Sequence, residues 1–408
     1  MSEHDHGLIR AAQTFFPGLG ETEPVANAPH LLRVESGGEA FVVRRWDAEA
    51  AESGVETSVE PAAEALGLAH AAGETRVPRF VPVPGANGRH ALMLDGRHYS
   101  AATWLPGRPV SRYGGSRTPD GLTIDLPLPP SSPAEDVILE AVRVVGRFHT
   151  ASRPIAARST TPGRSFHSLM AAHRISWERH RRVIGHHAGS FPEIRRWLRC
   201  GNRILPVVGE RLEATAKAAG DRSVLCHGHL WPVHMLVGAP GPERTLTGVT
   251  GWNQLAAGSP VRDLAQLAVH SSGWSAAVAE NILGAYTEVA PLTPEERRLL
   301  PVAAALDLVG EVARLLTLAF IDDPMIEHPA QPVLRSGLKT MLSSLENLTA
   351  VVAPEDGDKR GGTGWRRNPK RGAGSTPRAA GGSRARPAPR SGSGRLRPAP
   401  RRGKSTTG

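Results

Sequence analysis

The sequence predicts an α+β fold of two lobes, a small sheet with one packed helix over residues 8–105 and a larger, mostly helical part over residues 134–353. Two observations carry this expectation. Strand-like runs punctuated by tight-turn residues crowd the first part, and helix-period apolar patterns with capping residues fill most of the second. A third marks where the fold ends, because apolar residues give way to Gly, Arg, Pro, Ser and Ala beyond residue 354.

In the first part, apolar alternation on either side of the Gly37-Gly38 pair predicts a β-hairpin over residues 30–46. Adjacent glycines supply the positive φ that a two-residue hairpin turn needs. Residues 59–72, rich in Ala, Leu and Glu and stopped by Gly73, predict a helix. Residues 77–83 and 98–105 predict further strands around a turn at Asn87-Gly88. The polar, proline-rich stretch 106–133 predicts a linker or an exposed insertion between the lobes.

The second part opens on a helix signal, with Ser132 as N-cap, Pro133 at the first helical position and Glu135 completing a capping box. The periodicity of Val137, Ile138, Ala141, Val144, Val145 and Phe148 continues it. Further helices are expected near 166–183, 192–217, 275–289, 294–320 and 333–351, the fourth started by the capping box Thr293-Pro-Glu-Glu296. Asp307, Glu311 and Arg314 interrupt the most apolar long run, which excludes a lipid-spanning helix and suits a half-buried one. The polar start Met1-Ser-Glu-His-Asp-His6 lacks the apolar stretch of a signal peptide, so the expectation is a cytoplasmic protein without a membrane partner. Cys200 and Cys226 show no C-x-x-C or metal-ligand spacing and are expected to be ordinary thiols.

The formal charge of +10 is unevenly spread. From Lys359 onward there are 15 Lys or Arg and no acid, which leaves 34 basic against 39 acidic residues elsewhere. The tail repeats the septet Arg384-Ala-Arg-Pro-Ala-Pro-Arg390 as Arg395-Leu-Arg-Pro-Ala-Pro-Arg401. Such a composition cannot bury enough apolar surface to offset ordering, so residues 354–408 are expected to be disordered. Residues 359–404 would attract polyanions in a salt-dependent way, though Trp365 alone offers a surface for stacking on a base.

Chemistry-bearing residues gather at 224–254. Apolar residues 224–226 and 235–237 enclose the loop His227-Gly-His-Leu-Trp-Pro-Val-His234, and after a turn at Gly241-Pro242 comes Leu246-Thr-Gly-Val-Thr-Gly-Trp-Asn253. The stretch resembles the catalytic and metal loops of the aminoglycoside phosphotransferase, choline kinase and homoserine kinase family, H-G-D-x-x-x-x-N followed by an apolar-Asp-Trp segment. His227, Gly228, Leu230, Pro232, Leu236 and Val237 match that frame, as do Gly248, Trp252 and Gly258-Ser-Pro-Val-Arg-Asp263-Leu-Ala265. Asn27, Val34 and Phe41-Val-Val-Arg44 resemble the family's N-terminal hairpin, Trp104-Leu-Pro-Gly-Arg108 its interlobe linker, and Gly146-Arg-Phe-His149 the helix before the catalytic loop. The resemblance spans residues 8–350.

The resemblance implies a protein-kinase-like fold, ATP as cofactor and Arg44 as the basic residue that meets nucleotide phosphates. Three departures touch the chemistry. His229 stands where the family has its catalytic Asp, His234 where it has a metal-binding Asn, and Gly251 where it has a metal-binding Asp. Magnesium requires oxygen ligands; Gly251 supplies no side chain, and imidazole at 234 suits zinc better. Imidazole at 229 could act as a base, with a reference pKa of about 6.5. The two histidines therefore admit three readings: inert replacements, a transition-metal site with His227, or a repurposed catalytic pair. His227 and Asp263 are expected to be structural, and Glu60 and Glu64 are both offset from the place of an acidic partner for Arg44. The expectation is a pseudokinase that binds or scaffolds a small molecule or protein. The alternatives are an active ATP-dependent kinase of small hydroxyl compounds and a nucleic-acid-associated protein acting through its tail.

Overall fold

The structure, a computed structural model, describes residues 3–25, 28–46, 55–110, 116–117, 123–124, 135–158, 166–219, 223–238, 245–253, 255–271, 273–321 and 331–354. Asn27, the Ser132 cap, most of the 106–133 stretch and the tail expectations lie outside the described residues.

The first element is α1 (Glu3–Phe15), which starts ahead of the expected lobe boundary at residue 8. Leu8, Ala11, Ala12 and Phe15, spaced as one helical face, are buried with Val34, Phe41 and Tyr99 of the sheet. That sheet comprises β1 (Thr22–Pro24), β2 (Leu31–Ser36), β3 (Glu39–Trp46), β4 (Phe80–Val81), β5 (Leu92–Leu94) and β6 (Arg97–Thr103). The strand order is β1-β2-β3-β6-β4, with β5 also on β6 and every pair antiparallel.

The β2–β3 hairpin turns on Gly37 and Gly38 at φ 61° and 81°. The strand expected over 77–83 shrinks to β4, because Pro78 and Pro82 flank it and cannot donate to a ladder. A second tight hairpin, β5–β6, turns at Asp95-Gly96 with positive φ at both residues.

Helix α2 (Val55–Ala71) follows β3 in the chain. It serves the larger lobe as well as the sheet: Ala62, Ala65, Leu66 and Ala69 join the main core, packed on α3 (Glu135–Arg158), and Val59 joins Trp46 of β3 and Ala91, just ahead of β5. Between α2 and α3 come short strands β7 (Arg108–Pro109), β8 (Ser116–Arg117) and β9 (Thr123–Ile124).

The larger lobe continues with α4 (Phe166–Gly185) and α5 (Pro192–Ala219). It then gives four short strands, β10 (Val224–Cys226), β11 (Met235–Val237), β12 (Leu246–Val249) and β13 (Ala256–Gly258). Four helices follow: α6 (Val261–His270), α7 (Ala276–Thr287), α8 (Pro294–Phe320) and α9 (Gln331–Val352). The core sits where α5, α6 and α9 pack on α8. The capping box at Thr293 is formed, Thr293 Oγ1 accepting from Glu296 N at 3.1 Å and Glu296 Oε2 from Thr293 N at 2.7 Å. Among the described residues no helix is long and apolar enough to cross a membrane. Both cysteines are buried free thiols.

Candidate functional site

Short ladders present the loop between β10 and β11. β10 pairs with β13, and β11 pairs with both β12 and the linker strand β7. The linker crosses so closely at Gly107 (φ +121°) that a Cβ there would sit 2.6 Å from Val237 O. Only glycine fits that crossing.

Helix α6, unanticipated as a helix, indexes the loop residue by residue. Asp263 Oδ2 accepts from His227 N (2.6 Å) and from His149 Nε2 (3.0 Å), and Oδ1 accepts from Gly228 N (2.9 Å). One turn on, Gln266 accepts from Leu230 N (3.1 Å) and donates to Gly228 O (3.1 Å). A further turn places His270 against Trp231, ring centroids 4.3 Å apart, with Asp307 Oδ2 3.1 Å from its Nε2. Burial alone would raise the Asp263 carboxyl, but the hydrogen bond and charge of His149, with His227 and Gly228 N, hold it below the usual carboxylate range.

His227 is fully buried. Its Nε2–H donates to Thr250 O (2.7 Å), which leaves Nδ1 to accept from His229 N (3.3 Å). Burial lowers its pKa and keeps this ring neutral. The ring ties the 227–234 loop to Thr250, at the end of β12.

The chemistry-bearing positions converge beside it. The His234 ring lies 5.7 Å from that of His227 and 5.6 Å from that of His229, and His229 stands edge-on to Trp231 at 3.8 Å. Burial, with the neighbouring His227 and His270, pushes the His229 pKa down to about 4. Burial, with His227, His229 and Arg44 nearby, pushes that of His234 well below its ordinary value. Both rings are neutral at pH 7.

Gly251 adopts φ +84°, and a Cβ placed on it would lie 2.5 Å from His234 Nδ1. The imidazole fills the space that a side chain at 251 would enter.

These donors do not fit magnesium. The three positions offer two imidazoles and a glycine, and the buried carboxylate Asp263 is engaged with the loop backbone and His149. Among the described residues no group of three His, Cys, Asp or Glu is arranged to hold a metal ion.

From the first lobe, the Arg44 guanidinium stacks over Trp46 at 4.6 Å. With the Asn253 amide nitrogen donating to Gly251 O (2.8 Å), the Asn253 oxygen accepts from Arg44 Nη2 (3.3 Å). Arg44 thus reaches the 246–253 segment. Glu60 accepts from His90 N (2.7 Å) and Ala91 N (3.1 Å), and Glu64 pairs with Arg158, so each is engaged elsewhere. Gln266, His270 and Asn253 were not singled out from the sequence, and Asp307 only as a break in an apolar run. The spacing of Asp263, Gln266 and His270, one helical turn apart, was the available signal.

The family model described as "Phosphotransferase enzyme family" matches residues 27–302. No curated protein matches the sequence. Among solved structures, an aminoglycoside phosphotransferase from Alicyclobacillus acidocaldarius aligns with TM-score 0.54 and 15% identity, over 83% of this chain and 95% of that one. A microcompartment-associated aminopropanol kinase aligns with TM-score 0.52 and 16% identity, over 85% and 96% of the respective chains. The GDP complex of an aminoglycoside 2'-phosphotransferase aligns with TM-score 0.50 and 14% identity, over 86% and 99%. At these identities the likeness is one of fold. Matched by the family model over more than half of its length, this chain belongs to the phosphotransferase enzyme family and has its two-lobed, kinase-like fold.

Proposed function

We propose that this protein is a pseudokinase-type member of its family, acting by binding a small molecule or a protein rather than by magnesium-dependent phosphoryl transfer. One observation carries the reading: the His234 ring occupies the approach to position 251, where the family's metal-binding carboxylate would enter. Phosphoryl transfer depends on metal ions that bridge phosphate oxygens and on a residue that orients the nucleophile. His234 and Gly251 supply no oxygen side chain, while the frame built by His227, Asp263 and Gln266 is intact. Arg44, tied to Asn253, brings a positive charge to this segment, which supports ATP binding without magnesium.

A thermal-shift titration with ATP, with and without Mg²⁺, tests it. A ligand at a hundredfold excess over its Kd adds about 2.7 kcal/mol of stability. The expected result is a shift, if any, that magnesium leaves unchanged. A shift that appears only with magnesium contradicts the proposal.

A rival reading is an ATP-dependent kinase with His229 as base, acting on hydroxyl compounds like the aminoglycosides and aminopropanol named for its structural relatives. The low pKa of His229 supports it to the extent that a neutral imidazole is present at pH 7. It requires ATP turnover that His229→Ala abolishes.

A further inference from the structure

Away from the cleft, helices α4 and α5 concentrate charge of one sign. Residues 174–203 hold eight arginines and two glutamates, in a chain that is richer in acid than base once the tail is set aside. Several of these arginines are used internally: Arg196 pairs with Glu346 at 2.6 Å, and Arg195 donates to Ala188 O at 2.7 Å. Arg174, Arg179 and Arg182 are exposed and form no ion pair with a carboxylate among the described residues. An open hollow of about 380 Å³ lies between the helices, lined by Arg181, Arg182, Gly185, His186, Leu198 and Asn202. Glu178 lies 3.5 Å from Arg181, with both side chains half exposed.

The chemistry of this face points to phosphate. Every cation among these residues is arginine, whose planar fork pairs with two phosphate oxygens at once and is weakly hydrated. From Arg174 to Arg182 the helix rises about 12 Å, a length over which duplex nucleic acid carries about seven charges. Trp177, the aromatic residue on this part of α4, is buried, so the face offers the backbone charge without a stacking platform for bases. Ile175 and Val183 are exposed on α4, but two aliphatic side chains without an aromatic anchor make a poor membrane-inserting edge.

We propose that the α4–α5 face is a docking surface for the phosphate backbone of nucleic acid, independent of sequence and of whether the cleft transfers phosphate. It supplies the folded body with a contact that does not depend on the basic tail.

The test uses the full chain and a short fluorescent DNA duplex, with anisotropy measured over a series of salt concentrations. The variant is Arg174→Gln/Arg179→Gln/Arg182→Gln, which leaves the tail in place. Each lost phosphate contact lowers the slope of log K against log salt by about 0.9, so the triple variant is expected to lose about 2 to 3 from the slope and at least tenfold in affinity at low salt. An unchanged slope and affinity with an unchanged Tm overturns the proposal. If the triple variant melts early, Arg182→Gln alone is expected to lower the slope by about 0.9, and no change there overturns it equally. Binding to phosphatidylserine vesicles without binding to the duplex also overturns it, by assigning the face to lipid.

Discussion

Gly251→Asp restores the residue type that the family places at this position, and the structure makes it a destabilising change. The new Cβ would lie 2.5 Å from His234 Nδ1 on a backbone at φ +84°. Left-handed backbone costs a residue with a Cβ about 1–2 kcal/mol, and forcing an extra group into a packed site costs about 1–3 kcal/mol. The single variant should therefore lose about 2–5 kcal/mol in urea unfolding at pH 7. His234→Asn shortens the side chain and clears the approach. In the double variant the steric share should return, leaving the backbone strain and a coupling energy of about 1–3 kcal/mol between the two sites. The four proteins of this cycle are compared by urea midpoint, with the slope checked for constancy. Gly251→Asp as stable as the parent chain, or effects that add to within about 0.5 kcal/mol, would refute the idea that the two positions compete for one volume.

Other changes probe the frame and its charges. Asp263→Asn should cost about 3–5 kcal/mol, because a buried charge holding two backbone donors and His149 is removed; a loss under about 1 kcal/mol in the same assay would show that the loop holds itself. The depressed pKa of Asp263 gives stability that is present above the unfolded carboxylate value of about 3.9 and is lost as pH falls through the lower folded value. Gln266→Met, similar in volume, should cost about 2 kcal/mol or more by leaving Leu230 N and Gly228 O unpaired, measurable by thermal unfolding. His229 is neutral in the fold down to about 4, whereas the unfolded imidazole takes up its proton near 6.5. Stability should therefore fall as pH drops from about 6.5 to about 4, by up to roughly 3 kcal/mol from this group, and His229→Gln should flatten that part of the Tm–pH profile.

Local chemistry was legible wherever it declared itself within one element. The Gly37-Gly38 hairpin and the Thr293 capping box gave β2, β3 and the start of α8, because turn and cap residues act on their immediate neighbours. Helix α6 was hidden for the opposite reason. It is ten residues long, no side chain caps its N-terminus, and its polar residues Asp263, Gln266 and His270 are buried toward the loop, so their role depends on a distant segment. Helix α1 was masked by its charged first turn, although Leu8, Ala11, Ala12 and Phe15 keep helical spacing.

The site was legible as a frame and not as a volume. The resemblance assigned His229, His234 and Gly251 to the family's chemical positions, but could not reveal that the His234 ring occupies the room beside Gly251. That relation depends on the tertiary approach of the β11 and β12 ends. The partners of Arg44 and the engagement of Glu60 with His90 are likewise contacts between distant segments.

The claim at the centre of this account is that the cleft has no grip on a divalent cation. Electron paramagnetic resonance of Mn²⁺, titrated into the protein with a non-hydrolysable ATP analogue, tests it directly. The expected free-ion signal falls only as far as the analogue alone makes it fall. A further, protein-dependent loss of signal that disappears on mutation of the cleft would contradict it.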